Sequence, residues 1–146
     1  MTGAKMVSAV RIQRAVVGED GLVIVLYDSD DDEPEATIEA TITALRSASC
    51  DAAVFVAVRE FESWLLADIE SLRGSDSIRD DASFDDDPER PRDAAGRLED
   101  LMTESYKKTL HQARFRARLD LQRAAEASPS LRRFIDGVST ALLASA

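Results

Sequence analysis

The sequence predicts an α/β fold, a small parallel sheet flanked by helices, with a helical C-terminal part. Two apolar runs of strand length, residues 22–27 and 53–58, read as strands buried on both faces. Between them, residues 33–48 carry Ile38, Ile42 and Leu45 at helical steps, so strand, helix and strand form one right-handed βαβ unit. From residue 93 onward the strand-like runs cease, and apolar residues recur every three or four positions.

Each element has a local reason. Residues 4–17 place Met6, Val10 and Val17 at roughly helical spacing, and Gly18 is suited to end that helix, with Glu19-Asp20-Gly21 as the turn. The strand 22–27 runs straight into Asp28, Asp30, Asp31 and Asp32. Pro34 fits an early position of the next helix, and Asp31, Asp32 and Glu33 suit its N-terminus. After the second strand, Phe61, Trp64, Leu65, Ile69 and Leu72 share one side of a helix that stops near Gly74. Residues 75–93, rich in Asp, Ser, Pro and Arg, read as a long exposed loop. Helices are expected at 93–104, 106–127 and 130–144, the last opened by Ser128-Pro129. The expectation is one domain, 1–146, with an α/β part (1–74), the exposed loop (75–93) and a helical part (94–146).

Composition narrows the classes. The net charge of −10 is unevenly spread: residues 1–99 hold 10 basic and 23 acidic side chains, residues 100–146 hold 8 and 5. Such a chain meets nucleic acid through a local basic patch or a bound cation, not through its overall field. The single cysteine, Cys50, has no internal disulfide partner, which fits a reducing, cytoplasmic setting, and it reads as a small buried hydrophobe. No run is long enough for a transmembrane helix, so no membrane is expected.

The chemistry concentrates at the strand ends. Ligands of open α/β sheets sit beyond the carboxyl ends of the strands. On a continuing strand Asp28 and Asp30 would share one face, and two carboxylates a few ångströms apart repel and seek a cation, here Mg²⁺ or Mn²⁺. Asp-x-Asp-x-Thr or Val would indicate a haloacid-dehalogenase-type phosphatase, but position 32 is Asp. A phosphoacceptor receiver would need Asp where the second strand supplies Glu60. Glu60 either caps a helix or leans over the crevice to share the metal, and Glu62 ranks below it. Trp64 reads as core. The one basic concentration is Lys107, Lys108 and His111 with Arg114, Arg116 and Arg118, either a phosphate-binding strip or a solvated face. Neither a nucleophilic triad nor a glycine-rich phosphate loop is present.

Three segments together resemble a known family. Asp28-Ser29-Asp30 resembles the Asp-x-Asp motif of Toprim domains, the metal-binding module of topoisomerases, primases and some nucleases. Glu60-Phe61-Glu62-Ser63-Trp64 resembles the Glu-x-Glu-x-Trp signature of a bacterial Toprim-like family, domain of unknown function 4276. Pro88-Glu89-Arg90-Pro91, Ser105 to His111 and Ser128-Pro129-Ser130-Leu131 are similar to its tail. The resemblance, from about residue 22 to the C-terminus, implies a Toprim-like (Rossmann-like) fold with Mg²⁺ at Asp28, Asp30 and Glu60, where those residues are catalytic. It implies phosphodiester cleavage, with Lys107, Lys108 and His111 binding substrate and nucleic acid as partner. Toprim domains begin with a strand that delivers a glutamate; here a helix-like segment precedes Leu22, and Glu19 sits in a turn. The corresponding expectation is a shortened or degenerate member whose sheet is completed by a protein partner or a second copy. The alternative function is that of a non-catalytic interaction protein.

Overall fold

The computed structural model describes residues 3–18, 21–75 and 77–144. The expected turn at Glu19 and Asp20 lies outside them. The chain forms two compact units, Met1–Val56 with Arg133–Ala146, and Ala57–Arg132. The division falls at other places than the composition boundaries, and each unit has its own core.

In the first unit, α1 (Gly3–Val17) precedes β1 (Ile24–Asp28), α2 (Pro34–Ser47) and β2 (Ala53–Ala57, its last residue in the second unit). Gly18 closes α1 at a φ of 78°, a conformation that costs glycine nothing, and its N–H reaches the Arg14 carbonyl. At the start of α2, Glu33 accepts from the Ala36 N–H while Pro34 occupies the first turn, where a missing N–H is harmless. The helix ends in a Schellman arrangement: Ser49 N–H bonds the Arg46 carbonyl and Cys50 N–H the Leu45 carbonyl. Ser49 holds the left-handed position there, at φ 53°.

The two strands pair in parallel, with Ala53 N–H on the Val23 carbonyl, and among the described residues the sheet has only these two. The expected α/β class with a small parallel sheet is therefore present in a mostly helical chain. Met6, Val10, Val23 and Leu45 form the buried core, flanked by Val25, Cys50 and Val54. Cys50 is half-buried, near the small-hydrophobe role expected of it. The later part of α7 (Pro129–Ala144) joins this unit, where Phe134 meets Phe55 edge to face at 5.2 Å.

The second unit runs α3 (Glu62–Leu66), a 3₁₀ turn (Ile69–Leu72), α4 (Ala94–Asp100), a π-helical turn (Lys108–Gln112), α5 (Ala113–Arg116) and α6 (Leu121–Ala127). Leu65, Leu66, Ile69, Leu72, Ile78, Ala82, Leu98 and Phe115 are its core, and α3 packs against α4 and α6. Three sequence expectations change here. The helix expected to carry Phe61 through Leu72 is interrupted at Ala67 and Asp68, between α3 and the 3₁₀ turn. Residues 75–93 are not uniformly exposed: Ser77, Ile78 and Ala82 are buried, and Ile78 bridges to Met102. The expected helix 106–127 is broken near residue 120, where the Asp120 carboxylate accepts from the Gln122 and Arg123 N–H groups and starts a new helix. Leu121, an apolar residue within that expected helix, is exposed.

Candidate functional site

Asp28 is the last residue of β1, half-buried, at the carboxyl end of the strand. The chain then leaves the extended conformation. Asp32 N–H bonds the Ser29 carbonyl at 2.9 Å, and Asp30 inside this turn has φ 50°. Aspartate tolerates that left-handed region better than most residues. The expectation that Asp28 and Asp30 share one strand face is thus corrected: they flank a buried Ser29 across a turn, with Asp30, Asp31 and Asp32 exposed. Among the described residues no group of three or more His, Cys, Asp or Glu side chains gathers as metal ligands would. The donor set still suits a hydrated Mg²⁺, which keeps several waters and binds through one or two carboxylates.

Glu60 lies in the second unit. It follows a tight three-residue turn in which its own N–H reaches the Val58 carbonyl and Arg59 sits at φ 63°, a strained conformation for a non-glycine residue. Its Oε2 accepts from the Ala95 N–H at 2.9 Å, so it serves one of the orphan donors at the start of α4. That is a helix-capping use, on a helix other than its own.

The remaining signature residues converge inside the second unit. Glu62 is fully buried; its Oε1 accepts from the Tyr106 hydroxyl at 2.8 Å and from Gln112 Nε2 at 3.5 Å. The Lys108 ammonium stands 3.5 Å from Oε2, a charge contact, since Oε2 accepts no hydrogen bond. Lys108 is itself 54% exposed. Trp64, buried as expected, donates to Ser130 Oγ at 2.7 Å. Glu89 accepts from Ser128 Oγ and from the Ser130 N–H, so the Pro-Glu-Arg-Pro segment caps the start of α7.

His111 is fully buried, with Tyr106 on one side and Phe115 on the other. Its Nδ1 accepts the Lys107 N–H at 2.9 Å, while the Lys107 carbonyl accepts the His111 N–H. Its Nε2 faces Glu104 Oε1 at 3.3 Å. Lys107, Lys108, Arg114, Arg116 and Arg118 are exposed, whereas His111 is buried, so the basic concentration expected from the sequence loses its histidine to the interior of the unit. Hydrogen bonds from Ser77 and His111 hold the Glu104 carboxyl below its usual range. Burial pushes Asp68 the other way, above the usual range, against a Ser71 hydrogen bond and Arg123, whose guanidinium is 3.2 Å from Oδ1.

Sequence reasoning gave no role to Glu89, Glu104 or Ser130. Glu89 carried a usable signal, an acid between two prolines. For the other two, only the fold brings the partners together.

A βαβ unit with carboxylates at a strand end, joined to a helical unit organised by buried polar side chains, defines an α/β protein. The chain belongs to the family described as Domain of unknown function (DUF4276), whose model matches residues 4–139. The match begins well before the Asp-bearing strand and includes α1. No curated protein and no solved structure matches the chain.

Proposed function

We propose that this protein is Toprim-like and acts as a divalent-metal-dependent phosphodiester-processing protein, a nuclease in its simplest form. Asp28 and Asp30 hold Mg²⁺ or Mn²⁺. The observation that carries the reading is the position of Asp28, the closing residue of β1 in a parallel pair, with an aspartate-rich turn immediately after it. Strand carboxyl ends are where such sheets place their ligands. A bound cation would supply an activated water and offset charge developing on phosphate. Lys107 and Lys108 contact the nucleic-acid backbone, and His111 acts through its bond to the Lys107 main chain. Glu60 positions α4 and is not assigned to the metal. The setting is cytoplasmic, in keeping with the lone cysteine; no described helix is long and apolar enough to cross a membrane.

The test is hydrolysis of single- and double-stranded DNA and of RNA with Mg²⁺ or Mn²⁺. Asp28→Asn and Asp30→Asn should each lower turnover roughly 100-fold or more. Metal-independent cleavage, or undiminished cleavage by Asp28→Asn, would overturn the assignment.

A second reading, a non-catalytic interaction protein, is favoured by one observation. In the first unit Val16 is 75% exposed and Leu143 80%, and the sheet has only two strands among the described residues. A protein partner or second copy that completes the sheet would cover such surface. Light scattering that gives a monomer mass at all concentrations would remove the second-copy form of this reading.

A further inference from the structure

β1 has one neighbour in the sheet, and its side away from β2 meets no strand among the described residues. The bond from the Ala53 N–H to the Val23 carbonyl fixes which groups lie on that side. Backbone direction alternates along a strand, so Val23 and Val25 turn their polar groups to β2, while Ile24 and Leu26 turn theirs outward. The same bond sets the register: Ile24 is level with Ala53, Val25 with Val54 and Leu26 with Phe55. One face of the pair, with Val23, Val25 and Val54, packs against Met6, Val10 and Leu45. The other carries Ile24, Leu26 and Phe55. Phe134 meets Phe55 there, yet Ile24 stays 39% exposed. The line of β2 is bounded differently. Just past its end the Val58 N–H donates to Ser130 Oγ at 3.4 Å, and the Val58 carbonyl accepts from Ser63 Oγ.

A strand edge left open is a template for another chain, and proteins blunt such edges with lysine, proline or a bulge. Residues 22–28, Leu-Val-Ile-Val-Leu-Tyr-Asp, contain no lysine, arginine, proline or glycine. Parallel strands are as a rule covered on both faces, and two strands alone make a smaller sheet than most. The ends of β1 also differ in charge. Asp28 closes the strand and Asp30, Asp31 and Asp32 follow it. At the amino end Arg14 donates to the Gly21 carbonyl, and Arg11 and Arg14 line one crevice with Gly21, Leu22 and a single described carboxylate, Asp51. A second β1 laid antiparallel sets each acidic end against the end that carries the two arginines. Laid parallel, it sets two acidic turns side by side, which repel.

We propose that β1 pairs antiparallel with β1 of a second copy across a two-fold axis, making one four-stranded sheet in the order β2-β1-β1-β2. For the existence of a partner this rests on the interaction reading above; the edge and its residues come from the strand register. With the axis at Val25, Ile24 of one copy lies opposite Leu26 of the other, and their outward groups close about four main-chain hydrogen bonds. The exposed Ile24 side chains gain cross-strand neighbours on the same face. Such a two-fold contact uses the same edge of both copies, so it stops at the dimer. A strand pair is small beside the roughly 1,600 Å² that standard complexes bury, so the dimer should dissociate in the micromolar range.

The measurement is sedimentation velocity on the full chain from micromolar to submillimolar concentration, where a monomer–dimer equilibrium is expected. Ile24→Lys puts a charge on the open edge and should weaken the dimer roughly tenfold or more. Ile24→Pro removes one outward N–H, leaves the bonds to β2 in place, and should act in the same direction. Cross-linking locates the contact. In a Cys50→Ser background, Val25→Cys should form an interchain disulfide on mild oxidation, because residues facing each other at that position have Cα atoms about 4.5 Å apart. Val54→Cys, level with it on β2, should not. If Ile24→Lys does not fold by circular dichroism, the Val25→Cys cross-link decides alone. A dimer that both Ile24 variants leave intact, or that Val25→Cys fails to cross-link, overturns this edge and leaves the second-copy reading standing elsewhere on the surface. A monomer at every concentration overturns this inference together with the second-copy form of that reading, and leaves only a different protein as partner.

Discussion

Several side chains in the second unit are held by buried polar contacts. Trp64 Nε1–H is buried with Ser130 Oγ as its acceptor. Ser130→Ala leaves that donor unpaired and should cost about 1–3 kcal/mol, read as a lowered denaturation midpoint at unchanged m-value. A change below about 0.5 kcal/mol would mean that the indole finds another acceptor. Two carboxyl groups should make opposite marks on the pH dependence of stability. Glu104 has its folded pKa lowered from 4.5, so its contribution is present above 4.5 and disappears as pH falls through the folded value. Asp68 has its folded pKa raised from 3.8, so its contribution is present below 3.8 and is lost as pH rises through the folded value. Relative to wild type, Glu104→Gln should therefore lose stability toward neutral pH and recover it in acid. Asp68→Asn should instead gain as pH rises, when the Arg123 contact is removed from both sides of the comparison by Arg123→Met. Parallel profiles would contradict both assignments. At this scale the sequence was partly legible. Asp28, Glu62 and Trp64 could be picked out from their order. The burial of His111 could not, because a histidine beside two lysines and near three arginines reads as surface, and only the rings of Tyr106 and Phe115 enclose it.

Helix ends decide much of the element-level architecture. Ser49 occupies the left-handed position of the Schellman cap on α2 at φ 53°, where glycine pays no steric cost. Ser49→Gly should raise stability by about 0.5–1 kcal/mol, and a measured loss would show that the serine side chain does something the backbone does not. Gly137 is the reverse case. A Cβ there would meet Phe55 Cε1 at 2.3 Å, so Gly137→Ala must push the Phe55 ring out of its edge-to-face contact with Phe134. The expected loss is about 1–3 kcal/mol, and near-neutrality would mean that the ring moves freely. The first four elements were readable almost to the residue, since their periods are local and Gly18 and Pro34 punctuate them. What was not readable depends on contacts distant in sequence. Ile78 and Ala82 stand among Asp, Ser and Arg, and only a bridge to Met102 and the α3–α4 core draws them inside. The break near residue 120 depends on one capping aspartate inside an otherwise helical pattern.

For the whole molecule, the charge asymmetry of the sequence acquires a structural meaning. The acidic turn after β1 lies in one unit, and the exposed lysines and arginines of residues 107–118 lie in the other. Family membership covers nearly the whole chain, so both units belong to what the family is. The buried polar network shows that much of the signature holds the helical unit together: Glu60 serves Ala95, Glu89 serves Ser128 and Ser130, and Tyr106 serves Glu62. In the reading proposed above, the metal site falls on the carboxylates at the end of β1. Their central property can be measured without knowing a substrate. Mn²⁺ titration followed by electron paramagnetic resonance counts bound ions directly, on wild type and on Asp28→Asn. One Mn²⁺ should bind, be displaced by Mg²⁺, and be held roughly 10-fold or more weakly by Asp28→Asn. Stoichiometric binding that is indifferent to Asp28, or no binding at millimolar Mn²⁺, would contradict it.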